Sequence, residues 1–268
     1  MKINQNIPAL LTINSLNKAD NAAAKAMQRL SSGIKINSAK DNAAGLAIAN
    51  NLDRKIKGLE QANRNVMDGI SLVQTAEGSL NEVSAMLVRL KEVATQGGTD
   101  TYDEGSREAI QEEMDQLIEE IKSIQKNADF NGINLFDTDQ NIMFQIGSDT
   151  GENISIDGDN INLDQVINEI DGMKVEDSDI QEKIDRAITK NSAIRGELGA
   201  YQNRLEHTSN SLGVTGENTT AALSRILDTD MALEMTNFTA KNIISQSATA
   251  ILSQANQRPQ QVLQLLNS

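Results

Sequence analysis

The sequence predicts a mainly α-helical protein, in which a long antiparallel coiled-coil helical bundle carries a small β-hairpin island and the N- and C-terminal helices pair. Three observations support this fold class. Apolar residues recur in steps of three and four along several long segments, as in a coiled-coil seam. Aromatic residues make up only 2% of the chain and Trp is absent, so the core must be aliphatic. Residues 127–164 instead show strand-like alternation between glycine-containing turns.

Composition narrows the classes of function. The chain of 268 residues has no Cys, which excludes disulfides, thiolate metal sites and cysteine catalysis. Its formal net charge of −14 is concentrated in residues 101–180, which carry 4 Lys+Arg and 21 Asp+Glu. This region is therefore expected to face water, and we expect no nucleic-acid partner. No segment has the pattern of a signal peptide, and none predicts membrane insertion.

The N-terminal part predicts an amphipathic helix over residues 1–30. Its polar face is rich in Asn and poor in charge, which favours contact with a second surface over an ordinary solvent-facing helix. The segment Ile34 to Asp41 lacks helical periodicity, and Ser38 or Asp41 is a candidate cap for the next helix.

The longest heptad pattern begins at Leu52 and ends at Gln96-Gly97-Gly98. Its first register is wholly apolar and comprises Leu52, Leu59, Val66, Val73, Leu80 and Leu87. Its second register is assigned to Ile56, Asn63, Ile70, Glu77 and Ser84. The polar members of this second register weaken the seam but can fix its alignment.

Further helices are predicted to complete the bundle. A shorter helix should turn back along the first, with apolar positions at Ile110, Met114, Leu117, Ile121 and Ile124. Another seam runs from Ile180 to Leu212. Gly213 and Gly216 indicate a helix break when read locally, although a long bundle can override the cost of about 1 kcal/mol for each Gly. After Glu234 the chain has no acidic residue, which suits a helix buried among other helices.

The island is predicted at about residues 128–165, between the bundle helices. Its apolar residues alternate at Ile142, Phe144 and Ile146 and again at Ile154 and Ile156. This period is that of half-buried strands joined by turns.

No constellation of residues predicts catalysis. His207 has no second His and no Cys with which to form a dyad, so we interpret it as structural or solvated. The string Asp137, Asp139, Asn141 imitates the start of a calcium loop, but Ile142 and Ser148 stand where that loop requires Gly and Glu. The protein is therefore expected not to be an enzyme and to need neither metal nor cofactor.

Three sequence motifs resemble the bacterial flagellin family, particularly its short Bacillus-like type. They are RLSSGIKINSAKDNAAGLAIAN at 29–50, FNGINLFD at 130–137 and SQANQRPQQVLQLLNS at 253–268. The resemblance implies an inner filament domain D0, made of residues 1–42 and 229–268, and a bundle domain D1 over residues 43–228 that contains the island. It also implies that the helix continues through Gly213 and Gly216.

The function implied by this resemblance is that of a structural subunit of the extracellular flagellar filament, a helical homopolymer used for motility. The implied partners are other copies of the chain, a flagellar export chaperone, the type III export apparatus, the filament cap and the hook-associated proteins. Two alternatives remain. A flagellin-like hook-filament junction protein shares both terminal patterns, and a cytoplasmic coiled-coil scaffold or signalling protein shows similar heptads.

Two sets of site residues follow from the resemblance. The residues expected to pack D0 in the filament are Ile3, Ile7, Leu10, Phe238, Ile244, Ile251, Val262 and Leu266. The segment 87–96 is similar to the flagellin segment recognised by an innate-immune Toll-like receptor, and its candidate contacts are Arg89, Leu90, Glu92 and Glu113. Val88, Lys91 and Val93 depart from the best-known versions of this segment, and the alternative interpretation is a solvated charged face.

Overall fold

The computed structural model describes residues 5–99, 102–136 and 141–266, with side chains up to residue 261. Within these ranges the chain is mainly helical, as predicted. The helices are α1 (Ile7–Ser32), α2 (Ala43–Gly97), α3 (Glu104–Asn127), α4 (Gly158–Ile161), α5 (Asp164–Ile170), α6 (Ile180–Leu227) and α7 (Met231–Leu266). The strands are β1 (Asp129–Phe130), β2 (Ile133–Asn134), β3 (Ile142–Gln145) and β4 (Asn153–Ile156).

The described residues form two compact units. The central unit is Lys55–Glu217, and the terminal unit consists of the residues before and after that range. The divisions fall inside α2 and α6, so each of these helices contributes to both units. The limits of D0 and D1 implied by the resemblance fall elsewhere, at the ends of helices, and they stay a prediction.

The core of the central unit contains the predicted apolar register of α2. Leu59, Val66, Val73, Leu80 and Leu87 are buried there, whereas Leu52, the first predicted member, lies outside the central unit and is half-buried. The second register is not the predicted one, because Ile56, Asn63, Ile70, Glu77 and Ser84 are only half-buried. The positions buried instead lie three residues after the apolar ones, at Ala62, Gly69, Ala76, Val83 and Leu90.

Small side chains explain this difference. A Cβ added at Gly69 would lie 3.4 Å from Leu205 and from Phe144, so the neighbouring elements approach α2 closely at this point. Asn63 and Glu77, two of the polar residues assigned to the second register, contact α6. Ser209 Oγ donates to Asn63 Oδ1 at 2.9 Å, and Arg195 pairs with Glu77 at 3.7 Å.

Helix α6 is continuous through Gly213 and Gly216. The residues alone left a break and a continuation equally open, and the continuation implied by the resemblance is confirmed. Its buried side chains follow the predicted seam: Ile180, Ile184, Ala187, Asn191, Ile194, Leu198, Tyr201 and Leu205. In α3 the predicted Ile110, Met114 and Ile121 are buried together with Ile118. The predicted Leu117 and Ile124 pack at the edge of the same core.

The predicted β-hairpin is present. Strands β3 and β4 pair antiparallel, with Ile142 opposite Ile156 and Phe144 opposite Ile154. A shorter hairpin, β1 with β2, precedes it. Helices α4 and α5 follow the hairpin and were not predicted, because each is too short to show a helical period.

In the terminal unit, α1 and α7 pack along each other, which is the predicted pairing of terminal helices. Asn6 Nδ2 donates to the Ala255 carbonyl at 2.8 Å, and Ser245 Oγ donates to Asp20 Oδ1 at 2.7 Å. Among the described side chains of this pair, the buried apolar ones are all small: Ala9, Ala19, Ala23 and Ala26 on α1 and Ala248 on α7. Within the described ranges, no helix combines the length and the apolar character needed to cross a membrane.

The segment after α1 is non-helical, as predicted, and is tied to the α6/α7 junction. Lys35 N donates to the Leu227 carbonyl at 2.6 Å, and Thr229 N donates to the Gly33 carbonyl at 3.1 Å. The cap of α2 is Asn42, whose Oδ1 accepts from Gly45 N at 2.9 Å, and is neither of the predicted candidates.

Asp41, one of those two candidates, instead bonds with Lys25 Nζ at 2.6 Å. The hydrogen bond from Lys25 lowers the pKa of Asp41 to about 2. The carboxylate is thus engaged by α1 and does not cap α2.

Candidate functional site

The terminal unit presents an unusual amount of exposed apolar surface. Among the predicted packing residues, Ile7 is 56% exposed, Leu10 60%, Ile244 43% and Ile251 54%, while Phe238 is half-buried. Ile3 lies outside the described residues, as do the side chains of Val262 and Leu266. Large side chains of this kind are normally inside a protein, and a contiguous apolar surface marks an interaction site.

The alanine contact between α1 and α7 accounts for this exposure. Alanines let the two helices approach closely, but each buries little apolar area, and the larger side chains are left outside the contact. Leu11 and Ile243 are also exposed and line a groove between the helices together with Ile244, Ala248 and Ile251. Leu11 and Ile243 were not predicted as packing residues, although Leu11 lies four residues after Ile7, the spacing of one helical face.

The apolar face of α7 carries little charge. After Glu234 the sequence has only Lys241 and Arg258 as charged residues. Glu234 itself is buried and pairs with Arg29 of α1 at 3.4 Å. Such a surface can lie against another helix without desolvating several ions.

In the central unit, Arg89 joins α2 to α3 by a fork of hydrogen bonds. Its Nε and Nη2 donate to Glu113 Oε1 at 3.0 and 2.7 Å, and its Nη1 donates to Glu92 Oε2 at 3.1 Å. The Glu113 carboxylate, followed by that of Glu92, raises the pKa of Arg89 above its usual value. All three side chains are exposed, so they form a charged patch on the surface of the bundle.

The structure separates Leu90 from this patch. Leu90 is 0% exposed and belongs to the bundle core, because it occupies the buried second register of α2. Lys91 bonds with Asp185 of α6, so it also joins two helices of the bundle. The candidate contacts that reach solvent are therefore Arg89, Glu92 and Glu113.

Groups for catalysis were not predicted, and the described residues contain no set of three or more His, Cys, Asp or Glu side chains arranged to hold a metal ion. His207 is exposed on α6. Of the string that imitates a calcium loop, Asp137 and Asp139 lie outside the described residues.

Comparison with known proteins identifies the family. The model of the bacterial flagellin N-terminal helical region matches residues 3–141, and the model of the C-terminal helical region matches residues 181–266. The chain belongs to the bacterial flagellin family. Flagellins of Bacillus subtilis (strain 168) and Halalkalibacterium halodurans are each 44% identical to it, over 99% of this chain and 100% of theirs.

One solved flagellin structure agrees with this assignment. The crystal structure of Bacillus cereus flagellin is 27% identical, with a TM-score of 0.50, over 56% of this chain and 88% of that chain. A putative flagellar hook-associated protein from Vibrio parahaemolyticus has a TM-score of 0.57 over 70% of this chain and all of its own, at 15% identity. The latter likeness shows the shared fold alone.

Membership in the family settles the class of function. The protein is a structural subunit of the extracellular flagellar filament, it assembles with copies of itself, and it is not an enzyme. Its role in motility follows from that of the filament. The flagellin relatives favour this function over both alternatives, the cytoplasmic scaffold and the junction protein.

Proposed function

We propose that α1 and α7 are the elements through which this flagellin packs against neighbouring subunits, as a D0 domain of residues 1–42 and 229–268. The observation that carries the proposal is the exposed apolar face of this helix pair, which includes Ile7, Leu10, Ile244 and Ile251. Burying a fully exposed side chain of this kind contributes about 1.5–3 kcal/mol, and these side chains would gain about half of that because they are already about half-buried. Several of them together offset the cost of immobilising a subunit, which is about 4–15 kcal/mol.

Paired serine substitutions test this assembly role. Ile251→Ser removes an apolar side chain that is 54% exposed on α7, and Val214→Ser removes one that is 60% exposed on α6 in the central unit. We expect Ile251→Ser to raise the concentration needed to elongate filament seeds about tenfold, which corresponds to about 1.4 kcal/mol. Val214→Ser should elongate seeds like the wild type. The proposal would be contradicted if both variants needed the wild-type concentration to elongate seeds, or if both needed the same raised concentration.

The same terminal faces suggest the other flagellar partners. Subunits at either end of a filament have neighbours on one side only, so their apolar faces need cover from the filament cap and the hook-associated proteins. Before assembly these faces need protection as well, which a flagellar export chaperone would give until the chain enters the type III export apparatus. Val262, Leu263, Leu265 and Leu266 near the C-terminus are the sequence positions that best suit a chaperone. Deleting 261–268 should abolish chaperone binding in a pull-down experiment and leave the thermal unfolding of the central unit unchanged.

A second proposed interaction is recognition of the monomer by an innate-immune Toll-like receptor through Arg89, Glu92 and Glu113. It is favoured by the exposed guanidinium of Arg89, which Glu113 and Glu92 hold in a fixed orientation. Arg is a frequent anchor of protein interfaces because its planar donors are costly to lose once water is excluded.

Arginine-to-alanine variants test receptor recognition. Arg89→Ala should weaken receptor binding by about 2 kcal/mol, a value typical of an interface anchor. Arg186→Ala is the matched control, because Arg186 is about equally exposed and also pairs with two carboxylates, Glu169 and Glu182. Receptor activation by Arg89→Ala monomer at the wild-type level would exclude this site.

A further inference from the structure

We propose that Asn131 is a deamidation site that the fold holds in check through the carboxylate of Asp129. Asn131-Gly132 is the only Asn-Gly pair in the sequence. It forms the turn between β1 and β2, and Asn131 is exposed to water. Asn-Gly is the dipeptide in which intramolecular deamidation meets least steric resistance, because Gly has no side chain beside its reacting nitrogen.

The reaction needs water and no other reagent. The Gly132 amide nitrogen loses its proton and attacks Asn131 Cγ, forming a new C–N bond. The bond between Cγ and Nδ2 then breaks and ammonia leaves, which gives a five-membered succinimide. Water opens this ring at one carbonyl to give Asp, or at the other to give isoaspartate. No electrons are transferred at any step.

In the folded chain the attacking nitrogen is already engaged. Gly132 N donates a hydrogen bond to Asp129 Oδ2 at 3.2 Å. For the ring to close, this N–H must be deprotonated, and a neighbouring carboxylate makes a negatively charged nitrogen less favourable. The hydrogen bond also directs the Gly132 N–H towards Asp129.

The turn itself adds a second restraint. Asn131 has φ 53° and Gly132 has φ 80°, the pattern of a type I′ turn, and Phe130 pairs with Ile133 across it. Ring closure requires rotation about the Cα–C and Cα–Cβ bonds of Asn131, and the strand pairing opposes the first of these rotations.

The last residue of β2 and the residues after it resist opening of the turn. Asn134 Nδ2 donates to the Lys126 carbonyl at the end of α3 at 3.0 Å, and Leu135 N donates to the Ala128 carbonyl at 3.0 Å. Leu135 and Phe136 are each 1% exposed in the bundle core. The turn is therefore held at its base, and its reactive pair is released when this segment opens or when the chain is unfolded.

Modification at this position would change the hairpin. Either product places a carboxylate near that of Asp129, and like charges at short range repel each other. Isoaspartate in addition inserts a methylene into the main chain and disrupts the two-residue turn. The fold thus protects a position whose modification would weaken the connection between α3 and the island.

Mass spectrometry of the full-length protein tests the proposal. Wild type, Asp129→Ala and Asp129→Asn are incubated at pH 8 in buffer and in urea, and the peptide containing Asn131 is followed for Asp and isoaspartate. We expect wild type in urea to react at least about tenfold faster than in buffer, because the turn must open before reaction. In buffer, Asp129→Ala should react about fivefold faster than wild type, which is the effect of one lost hydrogen bond. Asp129→Asn retains an acceptor oxygen but loses the negative charge, so it should react faster than wild type and more slowly than Asp129→Ala.

Circular dichroism confirms that each variant is folded in buffer, and the rates of all three chains should coincide in urea. Equal rates for wild type in buffer and in urea would overturn protection by the fold. If Asp129→Ala reacts no faster than wild type in buffer, the role of Asp129 is overturned. If Asp129→Ala does not fold, the deamidation rate of Asp129→Asn in buffer is the test. A rate in buffer close to its rate in urea would overturn the role of the hydrogen bond.

Discussion

Adjacent side chains on α2 serve opposite purposes. Leu90 is fully buried in the bundle core, and Arg89 is half exposed and reaches across to α3. Successive residues on a helix point about 100° apart, so one position stabilises the bundle and the next can meet a partner. Helix α5 shows a similar division. Its Val166 and Ile170 are buried in the core. Glu169 lies between them in sequence and contacts Arg186 and Lys190 of α6.

Glu169 gives a pH-dependent prediction. Lys190, followed by Arg186, lowers the pKa of Glu169. The ion pairs of the Glu169 carboxylate therefore stabilise the folded chain fully above the pKa that Glu has in the unfolded chain, about 4.3. This stabilisation is lost as the pH falls through the lowered pKa of Glu169 in the folded chain. The melting temperature of Glu169→Gln should thus be below that of wild type at pH 7, and the difference should shrink below about pH 4.

Glu120→Gln on α3 is the control, because it removes one exposed carboxylate and so matches the change in net charge. It should leave the melting temperature close to that of wild type throughout. A difference between Glu169→Gln and wild type that is constant from pH 7 to pH 3 would contradict the assigned ion pairs.

Charged residues at helical spacing were easier to predict than caps. Arg89 and Glu92 share one face of α2, as their spacing of three residues indicated, whereas Glu113 was chosen from the resemblance and not from spacing. The cap of α2 was misassigned because Ser38, Asp41 and Asn42 are all good capping residues, and the choice depends on which of them has another partner. Lys25 binds Asp41, and that contact depends on how the chain turns after α1.

At the level of whole helices, the shape of the bundle depends on its small residues. Ala62, Gly69 and Ala76 occupy the second buried register of α2 along one half of the helix, and Val83 and Leu90 occupy it along the other. A hydropathy pattern emphasises Ile and Leu, so it located the first register and misplaced the second. Which small residues are buried depends on the helices and strands that pack against them, and these are distant in sequence.

Overpacking of the small-residue register should destabilise the central unit. Ala76 is 0% exposed, and Leu at this position adds volume for which the core has no room. We expect Ala76→Leu to cost about 1–3 kcal/mol, which lowers the melting temperature of a domain of this size by about 2–10 °C. Ala85→Leu, at an exposed position of the same helix, makes the same chemical change without the added contacts. An Ala76→Leu melting temperature equal to that of Ala85→Leu would contradict this packing.

Over the whole molecule, the two units differ in the apolar side chains that they bury. The central unit buries large side chains such as Leu80, Leu87 and Phe136 within one chain. The terminal unit buries chiefly alanines and leaves Leu10, Leu11 and Ile251 outside. At about 25 cal/mol for each Å² of apolar surface, an alanine contact contributes little against the entropy of ordering two long helices.

The fold class and the pairing of the terminal helices could be predicted because their apolar patterns extend over many turns. The sequence did not show that this pairing rests on alanines, because small residues on a helix are also common at positions without any contact. Nor did the sequence distinguish an apolar face that packs within the chain from one that packs against another subunit. That distinction depends on which side chains the α1/α7 contact leaves outside.

Limited proteolysis of monomer and of seeded filament tests most directly whether the terminal helices obtain their core from neighbouring subunits. In the monomer we expect rapid cleavage within residues 1–40 and 229–268, while the segment from Leu52 to Leu212 resists. In the filament the same ends should become resistant, because their apolar faces are then covered. Terminal segments that resist protease equally in monomer and filament, or that are cut at the same rate in both, would contradict this account.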